Sequence, residues 1–147
     1  MRRLAKFNFR LQSYLSLKSK IEDQKRNEFG KAVAALELEK QRLIQLERER
    51  DLCIEEFRVK VEKYVDMRNL NQFNLFLERQ KDLIKKQHAA IARAEAYVRQ
   101  KRMELVEAMK DRKILDKLRE NEFEEYLDEE KKNEQKVLDD LVSYKYR

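Results

Sequence analysis

An all-α protein, a long two-helix antiparallel coiled-coil hairpin, is the fold this sequence predicts. Residues 1–147 read as one coiled-coil domain, with a helix over about 5–68, a turn over about 66–74 and a second helix over about 72–145. The first observation is the loss of turn-forming residues. A chain of this length ordinarily carries about 10 Gly and about 7 Pro, and this one has one Gly and no Pro. Many short elements cannot be joined without them. The second is the balance of 44% charged to 41% apolar residues with no Trp, which suits long solvated helices and leaves a compact multilayer core too little buried surface. The third is a sustained seven-residue apolar repeat.

In the first helix Phe29, Leu36, Leu43, Arg50, Phe57 and Tyr64 lie seven apart. Val33, Ile54 and Val61 read as the complementary position, with Lys40 and Glu47 as defects. In the second helix Leu77, Ile84, Ile91, Val98 and Leu105 repeat without a defect. Such columns mark a narrow packing seam. Beyond Leu105 the phase is expected to slip, with Leu115, Leu118, Phe123, Leu127, Val137, Leu138 and Leu141 recurring at threes and fours. Gly30 sits in mid-pattern and reads as a tolerated helical glycine.

The turn is placed by asparagine. Asn69, Asn71 and Asn74 cluster between the two columns, and Asn69 or Asn71 is the expected N-cap of the second helix. Folding there sets Leu43 opposite Val98 and Phe57 opposite Ile84, in a rod about 100–110 Å long. Charge agrees with folding back. Residues 1–20 hold six bases and no acid, whereas residues 120–140 hold ten acids and three bases. The basic start, with Arg2, Arg3, Lys6 and Arg10, is expected to neutralise the acidic end. Disorder is the competing description for so charged a chain. The unbroken second column and favourable pairs such as Glu22/Arg26, Asp82/Lys86 and Glu95/Arg99 argue for helix.

Chemistry finds little support. His88 is the only histidine, so a His pair or a multi-His metal site is impossible. Cys53 is the only cysteine, flanked by Leu52 and Ile54, and reads as a small packing residue. The acidic runs lack the glycine turn and alternating oxygens of a calcium loop. No phosphate-binding loop is present. Catalytic, cofactor and metal sites are therefore expected to be absent. Residues 79–119 carry 13 bases against six acids, but Tyr97 is their one aromatic and the bases circle the helix, so nucleic acid is not an expected partner. No apolar run approaches membrane-spanning length. The basic start looks like a transit peptide, yet the helical pattern runs through it, and a cytoplasmic protein is expected.

The run from Phe7 to Leu15 (FNFRLQSYL), followed by Glu22 to Ala32 (EDQKRNEFGKA), resembles the opening of the FliJ family of flagellar export proteins. Lys110 to Leu118 (KDRKILDKL), the Glu124–Tyr126 stretch and Glu134 to Asp140 (EQKVLDD) resemble its close. The resemblance implies a non-enzymatic cytoplasmic component of the flagellar type III protein export apparatus, similar in fold to the stalk of rotary ATPases. It implies association with the export ATPase hexamer, the export gate protein FlhA and export chaperones, and so a peripheral place at the cytoplasmic face of the inner membrane. The gate-contacting face it implies includes Leu46, Cys53, Phe57, Phe76 and Leu83. Arg50, Gln80 and Gln87 fall on the same face but depart from the residue types expected there. A generic cytosolic coiled-coil scaffold or adaptor is the alternative.

Overall fold

A computed structural model describes residues 7–64 and 66–146. Helix α1 spans Gln12–Lys63 and helix α2 spans Met67–Lys145, and the described residues contain no strand. The two helices form an antiparallel hairpin. Their connection is shorter and earlier than the asparagines suggest. Helix α1 ends at Lys63 and α2 begins at Met67, where the sequence places a turn over about 66–74. Tyr64 closes α1 by donating its N–H to the Lys60 carbonyl at 2.9 Å. Lys60 and Lys63 put positive charge in that last turn, where the helix dipole favours it. Asp66 then caps α2: its carboxylate accepts the Arg68 N–H at 3.3 Å, and its carbonyl accepts the Leu70 N–H at 3.0 Å. Asp caps as well as Asn does, and here it comes first in the chain. Asn69 and Asn71 are left as exposed helical residues.

The other end differs too. The first helix is expected from about residue 5; residues 5 and 6 lie outside the described set, and α1 begins at Gln12. Gln12 donates its N–H to the Phe9 carbonyl at 3.1 Å in a preceding turn. Phe9 is buried with Leu15 and Leu115, while Phe7 and Leu11 pack against this cluster. That burial holds the segment off the helical path.

Contacts group the chain into two compact units, one of residues 1–25 with 105–147 and one of residues 26–104. In the first, the Phe9–Leu15–Leu115 cluster is the core. Lys18 pairs with Asp111 at 3.7 Å. Buried Glu22 accepts from the Arg112 guanidinium, which also reaches Asp116. The hydrogen bond to Glu22 is the main reason the Arg112 pKa is raised. Phe7 meets Phe123 edge-on at 5.2 Å between ring centres, and Tyr126 at 5.5 Å. Burial, then the charge of Glu130, pushes the Tyr126 hydroxyl up. The expected neutralisation at this end rests largely on Arg2, Arg3 and Lys6, which lie outside the described residues. Lys18 pairs upstream of the acidic run.

In the second unit Glu39 and Leu46 of α1 meet Gln87 and Gln80 of α2. Gln87 donates through Nε2 to the Glu39 carbonyl at 2.8 Å and to its carboxylate at 2.5 Å, and Gln80 donates to the Leu46 carbonyl at 3.3 Å. Both glutamines are buried. Lys101 bridges Glu28 at 3.3 Å and Glu104 at 3.0 Å, and the hydrogen bonds to Glu104 and then Glu28 raise its pKa. Phe57 stacks on Phe73 with ring centres 3.9 Å apart. The expected pairs, Leu43 with Val98 and Phe57 with Ile84, are therefore displaced by roughly three helical turns. Such a shift is nearly a whole number of turns, so it preserves which face is buried and apolar periodicity cannot detect it.

Leu77, Ile84, Ile91, Val98 and Leu105 are all buried or half-buried, as the heptad requires. The second α2 column is Phe73, Gln80, Gln87, Ala94, Lys101, Ala108 and Leu115, all buried or half-buried. The phase holds past Leu105 through Ala108, Arg112, Leu115 and Tyr126, and the expected slip comes only beyond, where Glu130 and Val137 are the half-buried residues. Leu118, Phe123, Leu127, Leu138 and Leu141 are exposed. On α1 the complementary column is Ala32, Glu39, Leu46 and Cys53, whereas Val33, Ile54 and Val61 are exposed. The seam takes small and polar residues where a narrow two-helix contact leaves their polar ends within reach of carbonyls, carboxylates or water.

Gly30 lies inside α1, and a Cβ built there meets no atom within 4 Å. Gly30→Ala should stabilise the chain by about 0.5–1 kcal/mol through lower unfolded-state entropy, read by denaturant titration of circular dichroism. Val98→Ala should cost about 1.5–3 kcal/mol, since buried methyls are removed from the seam. Val33→Ala should fall within about 0.5 kcal/mol of the parent. Equal effects from these two would contradict the assignment of the seam.

Candidate partner-binding surface beside the helix connection

The last four turns of α1 and the first turns of α2 carry the aromatic residues Phe57, Phe73 and Phe76. The heptad phase turns Phe57 inward and the cap at Asp66 sets Phe73 opposite it, so the two rings stack nearly parallel, 5° apart. Phe76 follows one turn later and is not part of that stack. Together with Cys53, these rings line a groove of about 230 Å³ whose rim is Glu56, Lys60, Asn69 and Gln72. The floor is aromatic and the rim carries one acid, one base and two amides. That is the make-up of a surface that binds an apolar side chain and orients it through polar edges.

Three of the five residues expected on the partner-facing side, Cys53, Phe57 and Phe76, line this one groove. The other two do not. Leu46 is half-buried in the seam, and its carbonyl accepts from Gln80. Leu83 is 40% exposed on α2, further from the connection. Gln80 and Gln87 are only 3% and 7% exposed, so they are seam residues and not part of an open face. Half-buried Arg50 donates through Nε to neighbouring Asp51 at 3.2 Å. Phe73 belongs to the groove, and its place in the column of Gln80 and Gln87 is the signal for it. Glu56, Lys60, Asn69 and Gln72 carry no such signal, because their grouping depends on where the helices fold back.

A second open surface belongs to the unit that holds the termini. Phe7 reaches as far along α2 as Tyr126, and α2 continues to Lys145. Leu138, Leu141, Val142 and Tyr144 are exposed along that continuation. Among the described residues, no group of three or more His, Cys, Asp or Glu side chains is placed to hold a metal ion, and no helix is long and apolar enough to cross a membrane. His88 is exposed.

The chain is thus a two-helix hairpin with an aromatic groove beside its connection and exposed apolar side chains toward the end of α2. The model of the Flagellar FliJ protein family matches residues 7–147, and the chain belongs to that family. It is thereby a component of the type III export apparatus, in a family of non-catalytic export proteins. The fold is similar to that of a protein solved as a YscO homologue, CT670 from Chlamydia trachomatis, with a TM-score of 0.67 and 20% identity over 94% of each chain. No curated protein sequence matches the chain.

Phe73→Ala should lower stability by about 1–3 kcal/mol, because it removes one ring of the stack and leaves a void beside Phe57. Phe76→Ala should cost less than half as much. Thermal melts of the two variants check this, and equal losses would place Phe76 in the packing and not at the groove surface.

Proposed function

We propose that this chain is a non-enzymatic cytoplasmic component of the flagellar type III protein export apparatus that bridges the hexameric export ATPase to the export gate protein FlhA and to export chaperones. It acts at the cytoplasmic face of the inner membrane, held there through its partners. It has no catalytic role and no nucleic-acid partner. The observation that carries this reading is the groove beside the helix connection. One pair of rings is used internally, Phe57 on Phe73, while Phe76 and Cys53 line an opening with a polar rim. With Leu83 further along α2 and Leu46 beneath, these residues form the gate-contacting side in this reading. The uncovered end of α2, with Leu138, Leu141 and Val142 exposed among acids, supports a separate docking site for the ATPase.

The test is Phe76→Ala combined with Leu83→Ala, two side chains that are not part of the buried core. The variant should keep its helical circular dichroism, lose capture of the FlhA cytoplasmic domain, retain capture of the ATPase, and fail to restore swimming to a strain lacking the native gene. A folded variant that binds FlhA normally and restores swimming would refute the gate contact.

A further inference from the structure

The face of α1 turned away from the seam carries a second repeat. Leu38, Gln41, Gln45, Arg48, Leu52, Glu55 and Val59 follow one another at alternating steps of three and four, the spacing of a helix-packing stripe. All of them are exposed, and Leu38 and Leu52 keep 71% and 63% of their surface in water. Isolated exposed leucines are ordinary, but here they recur in register along one face.

The stripe is divided by charge. One shallow groove is lined by Leu38, Gln41, Arg42, Ile44, Gln45 and Arg48, and its charged residues are both basic. A second groove on the same helix is lined by Leu52, Glu55, Glu56, Val59 and Lys60, and is mainly acidic. They lie about 20 Å apart along the helix axis. Two copies laid parallel would set Arg42 on Arg42 and Glu55 on Glu55. Two copies laid antiparallel about a two-fold axis near residue 48 set Leu38 against Val59 and Arg42 against Glu55 and Glu56, and put Arg48 of each copy between Arg48 and Glu49 of the other. On the flanks they also set Glu37 against Arg58. The basic groove then meets the acidic one twice, as an isologous contact requires.

We infer that the outer face of α1 is a self-association surface, on which a second copy of this chain docks antiparallel across residues 38–59. The occupant is a second copy because both complementary halves lie on one face of one chain. The contact is small and half polar, so the dimer dissociates at a concentration on the order of 10 µM.

Analytical ultracentrifugation of the full chain, with reductant present so that Cys53 cannot cross-link copies, tests this. The mass should rise from 18.0 kDa toward twice that value as concentration passes through that range, and the rise should weaken in high salt. Glu55→Lys with Glu56→Lys makes both grooves basic, and Arg42→Glu with Arg48→Glu makes both acidic. Each variant alone should stay monomeric at every concentration tried. Mixed in equal amounts, the two should restore the heavier species, which also shows that both are folded. A parent chain that stays at 18.0 kDa throughout overturns the inference. So does a dimer that either charge reversal leaves unchanged, or a mixture that does not associate.

Discussion

The cap that Asp66 places on α2 is the constraint from which the rest of the hairpin follows. Its carboxylate on the Arg68 N–H and its carbonyl on the Leu70 N–H start the second helix at Met67, four residues after the first one ends at Lys63. A connection this short leaves no freedom to slide one helix past the other. It puts Phe73 across from Phe57, and with them Gln80 across from Leu46 and Gln87 across from Glu39. Had α2 begun at the asparagines, the stack would not form and two buried amides would face other partners. An amide without a partner in a seam costs more than a made bond contributes, so the glutamines penalise any other register.

The seam that results is thin. Its most buried apolar members are Phe9, Leu15, Ala32, Val98, Ala108 and Leu115, and it also buries Glu22, Gln80 and Gln87. Two helices bury only one stripe each, so the remaining surface is open to other proteins. Polar seam residues then act less as a source of stability than as a choice among alignments, as buried polar groups do in other coiled coils. The groove beside the connection depends on that choice. Cys53 and Phe57 come from α1, Phe73 and Phe76 from α2, and a shift of one turn would separate them.

Much of this was legible in the sequence. The column from Leu77 to Leu105 is the seam of α2, Gly30 is an interior helical residue, and two helices fold back on each other. The opening and closing motifs resembled FliJ proteins, and the family match covers residues 7–147. What escaped was carried by polar or small residues. Gln80, Gln87 and Lys101 occupy seam positions that hydropathy reads as solvent, while Val33, Ile54 and Val61 look like seam and face water. Aspartate at the start of α2 was hidden among so many charges, and three nearby asparagines drew the turn toward themselves. That displacement of the turn accounts for the displaced register. At the site, the family resemblance implies one face of Leu46, Cys53, Phe57, Phe76 and Leu83, of which Cys53, Phe57 and Phe76 line the groove; Phe73 shares the column of Gln80 and Gln87, and the polar rim follows only from the turn.

Proximity across the seam in solution reports on this register directly. In a Cys53→Ser chain, one variant would carry Glu39→Cys with Gln87→Cys and another Leu43→Cys with Val98→Cys, each treated with a short thiol-to-thiol cross-linker. A hairpin aligned by the Asp66 cap predicts efficient intramolecular cross-linking of the 39/87 pair and little of the 43/98 pair, whose cysteines stand roughly three helical turns out of alignment. Efficient cross-linking at 43/98 with none at 39/87 would contradict it and return the turn to the asparagines.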